Sequence, residues 1–211
     1  MTDFTGIKDL WDKKKWNGHV SAYNPWVFAI GSLSFDPEKI VRKKVYNESD
    51  FRPSWPMRTG TSIHEDIQSR LGPDWRCEEE LWLDLPYQWK NVKNDRITIY
   101  GSIDGLNLET HEVLEIKTSY RNDAGPAQYH LLQVSAYAAI AAERYGGRFT
   151  PHLLRIALKD DDVVNDYVLT DEQVAAHWTT IKQRAIATAN RIDTLLGEVS
   201  AANAKKRECQ R

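Results

Sequence analysis

Glu78 to Leu85 and Arg96 to Asp104 both read as strands, the second alternating apolar with polar positions and rich in β-branched residues. The first opens a sheet. Gly105 to His111 holds turn formers, and Glu112 to Thr118 reads as the returning strand of a hairpin. The period then lengthens. Pro126 to Tyr145, opened by a proline, rich in Ala and Leu and closed by Gly146-Gly147, predicts a helix. An earlier helix is predicted over Gly60 to Leu71, where Ile63, Ile67 and Leu71 recur every four residues and Gly72-Pro73 ends the pattern. His152 to Leu158 and Val163 to Leu169 read as two further strands joined at Lys159-Asp160-Asp161-Asp162, an acidic run that fits a solvated turn better than a cation site. Thr170-Asp171-Glu172-Gln173 is a capping box for a helix running to about Leu196.

Three ionisable side chains interrupt the two central apolar strands. Asp104 closes the first, and Glu115 and Lys117 punctuate the second. Residues two apart share a strand face, so Glu115 and Lys117 project together while Leu114 and Ile116 face the other way. Placing charges between apolar neighbours costs desolvation unless something pairs with them, and a divalent cation would do so. Mg2+ takes hard oxygen ligands, usually one or two carboxylates with waters and phosphate, which suits Asp104 and Glu115. Lys117 would then orient or deprotonate an attacking water, or stabilise charge on a phosphate. A cross-strand ion pair on a solvated face would give the same spacing, which alone is a weak signal.

Two helices add to this. Gln133 and Tyr137 stand four apart on the helix after the Glu-x-Lys strand, with Tyr129 and His130 one turn earlier, and so share a surface that would overlook the site. A buried Gln and Tyr satisfying each other is the plainer alternative. His64 lies beside the Ile63, Ile67, Leu71 stripe, where its imidazole can look inward. Imidazole suits Mn2+ or Fe2+ better than Mg2+, although a lone histidine is more often a satisfied core or surface residue.

Taken in order, His64, Gly-x-x-Asp at 101 to 104, Glu-x-Lys at 115 to 117 and Gln-x-x-x-Tyr at 133 to 137, the chain resembles the RecB-like branch of the PD-(D/E)XK nucleases. That branch includes nuclease domains of bacterial recombination helicase-nucleases and small exonucleases of CRISPR adaptation. The resemblance implies an α/β, restriction-endonuclease-like core with a central mixed sheet flanked by helices. It implies metal-dependent phosphodiester hydrolysis with Mg2+ or Mn2+ held by His64, Asp104, Glu115 and the Ile116 carbonyl, Lys117 catalytic, and Gln133 and Tyr137 supporting the site and contacting DNA. Ile103 stands where the founding motif has proline, a departure the branch tolerates. Several members carry an iron-sulfur cluster on four cysteines. This chain has only Cys77 and Cys209, so no cluster is expected, and its eight tryptophans are available for an apolar core instead.

Composition sets the remaining expectations. With 211 residues, 41% of them hydrophobic, and no repeat or low-complexity linker, one nuclease domain over 1–211 is expected. Within it, 1–58 would be a helical or irregular N-terminal cover over one edge of the site, 59–170 the core, 171–196 the C-terminal helix and 197–211 a flexible tail. Two separated cysteines, no signal-peptide pattern and no apolar run of membrane-spanning length point to the cytoplasm, or the host cytoplasm for a viral chain. The net charge of −2 neither helps nor excludes DNA binding, which needs only a local basic groove. Lys13-Lys14-Lys15-Trp16 and Arg42-Lys43-Lys44-Val45-Tyr46 are candidates for it, equally readable as solvated helix faces. Arg121, just past the Glu-x-Lys strand, is better placed to meet the phosphate, while Lys205-Lys206-Arg207 reads as a frayed end.

DNA is the expected substrate, recombination or CRISPR-type proteins are candidate partners, and no membrane is involved. An exonuclease of recombination, repair or DNA processing is preferred. The alternatives are a catalytically inactive DNA-binding or assembly module, and a restriction-type endonuclease, for which no recognition helix is evident.

Overall fold

The computed structural model describes residues 24–46, 55–119, 125–157 and 164–208, the side chains of 55–61 and 203–208 excepted. Lys13 to Trp16, Arg121, the turn at 159–162 and Cys209 lie outside the described residues. The elements run β1 (Val27–Ala29), α1 (Ile30–Phe35), α2 (Pro37–Tyr46), α3 (Trp55–Arg70), β2 (Trp75–Arg76), β3 (Glu79–Pro86), β4 (Arg96–Ile103), β5 (Gly105–Asn107), β6 (Glu112–Ser119), α4 (Gln128–Tyr145), β7 (Thr150–Ala157), β8 (Val164–Val168) and α5 (Asp171–Glu208). Strands divide between a three-stranded sheet, β1-β4-β3, and a five-stranded one, β2-β5-β6-β7-β8. The class is the expected α/β with helices flanking mixed sheet. No described helix is long and apolar enough to cross a membrane.

The chain forms two compact units, 1–49 with 84–99 and 183–211, and 50–83 with 100–182; β3, β4 and α5 contribute residues to both. In the first unit, β1 and the two short helices bury Val27, Phe28, Ile30, Leu33, Ile40 and Val41, while the C-terminal half of α5 buries Ala185, Ala189 and Ile192 at helical spacing. Arg184 on that helix donates to the Leu33 carbonyl (2.9 Å) and the Ser34 carbonyl (2.5 Å), serving the free carbonyls at the end of α1. Buried Asp193 accepts the Lys90 and Asn91 amides, both at 2.8 Å, and so orders the connection between β3 and β4. The basic run in α2 is partly engaged internally: Arg42 pairs with Asp36 at 3.0 Å, and the Lys44 amine donates to the Asn24 carbonyl at 2.5 Å.

In the second unit, β6 is the axis. It pairs antiparallel with β5, Gly105 opposite Leu114 and Asn107 opposite Glu112. On its other side it pairs parallel with β7, Glu115 opposite Leu153 and Lys117 opposite Arg155. A parallel neighbour requires a crossover, and α4 supplies it. One face of β6 and β7 offers Leu114, Ile116 and Ile156, against which Ile63, Ile67 and Leu71 of the α3 stripe are packed together with Trp75. The α4 helix packs on β6 and β7 as well.

The expected hairpin between the Arg96–Asp104 strand and β6 is not what forms. β4 belongs to the three-stranded sheet and stops at Ile103; the partner of β6 is β5, lying within the residues expected to turn. Gly105 permits this, since a Cβ there would come within 3.0 Å of the Trp75 ring and 3.2 Å of Leu114 Cβ. Asn107 then closes the turn, its Oδ1 accepting the Glu109 and Thr110 amides at 2.9 and 3.0 Å. Asp104 is therefore the single residue between two ladders. The α5 helix also departs from expectation, continuing to Glu208 through residues expected to form a tail; the alanines at 201, 202 and 204 are the strongest helix formers. Its start is as expected, with the Thr170 amide donating to Gln173 Oε1 at 2.9 Å and the Gln173 amide to Thr170 Oγ1 at 3.4 Å.

Candidate active site

Asp104 is held from two directions. Its Oδ2 accepts the Ile116 amide at 2.6 Å, and its Oδ1 lies 3.4 Å from His64 Nδ1. The first contact follows from the strand break: β5 reaches only Gly105 opposite Leu114, so two residues further along β6 the Ile116 amide meets the Asp104 carboxylate where a strand would otherwise be. A strand residue's N–H and C=O face the same neighbour, so the Ile116 carbonyl looks toward the same edge. The second contact follows from α3, whose apolar stripe seats it on Leu114 and Ile116 and brings His64, 23% exposed at its side chain, to the carboxylate.

Glu115 and Lys117 lie on the opposite face of β6, where the Lys117 amine pairs with Glu115 Oε1. Glu115 is only 2% exposed, and its Oε2 is buried with no hydrogen-bond partner among the described residues. Burial pushes its pKa up to about 7, opposed by Lys117 and assisted by Asp104. Burial is the strongest influence against the Lys117 charge, but the Glu115 carboxylate, Asp104 and Tyr129 together outweigh it and the net shift is upward. The strand alternation places an ion pair on one face, an aspartate at the edge and an imidazole arriving from the other face.

The α4 helix overlooks the pair. Gln133 Nε2 donates to the Tyr137 hydroxyl at 3.3 Å, and that hydroxyl would lie 2.7 Å from a Cβ on Gly101, with ring carbon Cε1 at 2.9 Å. Gly101 is thus required by the close approach of a buried phenol to β4. Burial raises the Tyr137 pKa well above its usual value, reinforced by the Glu115 charge. One turn into α4, burial pushes His130 down to about 4, helped by Lys117 and then Arg155, so a neutral imidazole faces two cations. Arg155 is buried beside Lys117 in register, and donates to Ser119 Oγ at 3.4 Å.

The structure thus brings together two contact groups on β6, His64 with Asp104 and the Ile116 amide, and Glu115 with Lys117; the Asp104 charge acts on Glu115, and the Glu115 charge on Tyr137, which Gln133 holds. As they stand, no three Asp, Glu, His or Cys side chains among the described residues are arranged to enclose a metal ion. Glu115 is turned to Lys117, and Asp104 to the Ile116 amide and His64. The donor set still fits a hard divalent cation, because Glu115 Oε2, a carboxylate oxygen of that set, is buried with no hydrogen-bond partner among the described residues. Two contributors carry no motif. Gln68 donates to the Asp104 carbonyl at 2.9 Å, and Glu78 accepts from both Gln68 and Ser102. The spacing of Gln68, four residues after His64 on the same helix face, is the signal that would have found it.

No family model matches the chain, and no curated protein does. Solved structures share its fold. SSO0001 superposes with a TM-score of 0.56 at 16% identity, over 85% of this chain and 81% of that one. An alkaline exonuclease from Laribacter hongkongensis superposes with a TM-score of 0.52 at 13% identity, over 87% of this chain and 97% of that one. The fold is therefore one that an exonuclease also adopts.

Proposed function

We propose that this chain is a metal-dependent DNA nuclease that hydrolyses phosphodiester bonds from DNA ends, in recombination, repair or DNA processing. The observation that carries the reading is Glu115: a fully buried carboxylate with one oxygen on the Lys117 amine and the other without a partner among the described residues, next to an aspartate fixed at a strand break. A buried carboxylate left half-satisfied is costly unless a cation completes it. His64, Asp104, Glu115 and the Ile116 carbonyl would hold Mg2+ or Mn2+. Such an ion supplies a more acidic bound water and neutralises phosphate charge.

The protein's own part is positioning. Asp104, fixed through Oδ2 by the Ile116 amide, presents its carboxylate at the sheet edge. The Lys117 ammonium, held on the other oxygen of Glu115, would face the attacking water or charge building on the phosphate. Gln133 and Tyr137 support Glu115 from behind. The exonuclease fold shared at low identity supports the same reading.

The test is incubation of linear and circular duplex DNA with Mg2+ or Mn2+, beside Asp104→Ala as control. Degradation of linear DNA alone, absent in the variant, is the expected result. Discrete fragments from circles would indicate a restriction-type endonuclease. Binding without cleavage at any metal concentration would overturn the reading in favour of an inactive DNA-binding module.

A further inference from the structure

Asp104 belongs to neither ladder, since β4 ends at Ile103 and β5 begins at Gly105. A main-chain carbonyl in that position needs a partner from elsewhere. Gln68 provides it. The amide nitrogen of Gln68 carries two hydrogens, and each has an acceptor that cannot itself donate: the Asp104 carbonyl at 2.9 Å and Glu78 Oε1 at 2.9 Å. The other Glu78 oxygen accepts the Ser102 hydroxyl at 2.9 Å. One glutamine and one glutamate thereby grip the chain at 102 and at 104, on both sides of the point where it leaves the first sheet. Glu78 adopts φ +53°, the left-handed region that side-chain-bearing residues seldom occupy. Strain of that kind persists where surrounding contacts over-determine it. His64 and Gln68 stand one turn apart on α3, so the same helix face that brings the imidazole to the Asp104 side chain also holds the Asp104 main chain.

We infer that Gln68, oriented by Glu78, is a positioning residue: it fixes the direction from which Asp104 presents its carboxylate, and so sets the affinity of the site for a divalent cation. The inference rests on the nuclease reading for its consequence and on the strand break for its geometry. Support from behind a metal ligand is worth roughly ten- to a hundredfold in affinity. The contacts are partly solvent-exposed, so removing them should leave the fold intact.

The experiment compares wild type with Gln68→Leu, which keeps the bulk and removes both donors, and with Glu78→Gln, which keeps one acceptor oxygen for the Gln68 amide and can donate to the Ser102 hydroxyl instead. In the metal-free protein, hydrogen exchange at the Ile116 amide reports the Asp104 carboxylate directly, because that amide donates to Oδ2. Exchange at Ile116 is expected to rise about tenfold in Gln68→Leu, with the other β6 amides unchanged and Glu78→Gln close to wild type. Mn2+ binding followed by electron paramagnetic resonance is expected to weaken about tenfold. Turnover at saturating Mn2+ and KM for DNA should stay within about twofold.

Unchanged Ile116 exchange and unchanged Mn2+ affinity in Gln68→Leu would overturn the inference. So would faster exchange spread over all of β6 with a lowered melting temperature, which marks a merely structural contact. A wild-type chain that binds no Mn2+ overturns the nuclease reading instead. The grip on Asp104 is then decided by the Ile116 amide alone, and unchanged exchange there overturns it.

Discussion

Glu115→Gln is expected to stabilise the metal-free protein by an amount that depends on pH. The native carboxyl titrates at about 7, raised by burial first and by Asp104, with Lys117 opposing; the unfolded chain titrates near 4.5. The folded state therefore holds the proton more tightly, and wild-type stability falls as pH rises from about 4.5 through about 7, then levels. At about 1.4 kcal/mol per tenfold change in proton affinity, the full difference is roughly 3 kcal/mol. Glutamine keeps the shape and cannot ionise, so it escapes that fall. Both proteins should agree near pH 4, and the variant should lead by up to roughly 3 kcal/mol at pH 8. Urea unfolding midpoints measured with chelator from pH 4 to pH 8 give the comparison. A constant offset across that range, or a variant less stable than wild type at pH 8, would refute the argument that burial outweighs the Lys117 pairing. Repeating the series with Mn2+ should narrow the gap. An ion binding only the native state adds about 2.7 kcal/mol at a hundred times its Kd, and wild type should gain more of it than the variant.

Lys117→Ala should still bind metal and DNA but lose turnover by roughly a hundredfold or more, since the ammonium acts on the transition state; single-turnover kinetics with a separate DNA titration check it, and a collapse of affinity with the rate intact would make Lys117 a phosphate anchor. His64→Ala should weaken Mn2+-supported cleavage more than Mg2+-supported cleavage, because imidazole is the softer ligand; full metal titrations in both proteins are needed, and equal loss would remove His64 from the ligand set. Gly101→Ala should destabilise by about 1–3 kcal/mol, as a methyl would meet the Tyr137 hydroxyl at 2.7 Å. Adding Tyr137→Phe should recover only part of that in denaturant melts, because Cε1 at 2.9 Å remains.

What was legible in the sequence is what local period and side-chain chemistry encode. The strand readings for β3, β6 and the two strands after α4 fall within a residue or two of those formed, and the four-residue apolar stripe of α3 packs where its period demands. The Glu115 and Lys117 pairing follows from their sharing a face, and the Gln133 to Tyr137 bond from one helical turn. What was not legible is tertiary. Nothing in Gly105-Leu106-Asn107 distinguishes a short strand from a turn, because the choice depends on Trp75 and Leu114 closing over a glycine. The split between sheets at Asp104 is hidden for the same reason, and with it the roles of Gln68 and Glu78, which act through a main-chain carbonyl that no residue pattern reports. The metal set is where pattern and geometry diverge most. The resemblance implies three side-chain ligands, while the arrangement turns His64 and Asp104 to each other and Glu115 Oε1 to Lys117.

On the proposed reading, the carboxylate that accepts the Ile116 amide serves both the architecture and the chemistry, which narrows the neutral drift open to position 104. Alanine or glycine would strand a β6 amide without its acceptor, at about 1–3 kcal/mol. Asparagine keeps an acceptor oxygen at the same reach for that amide while discarding the charge. A lineage released from selection for cleavage would therefore cross from cutting to merely binding through Asp104→Asn, in one step and without unfolding. Since the amide side chain would serve the fold about as well, an acid at this place in any descendant is a record of chemistry still in use.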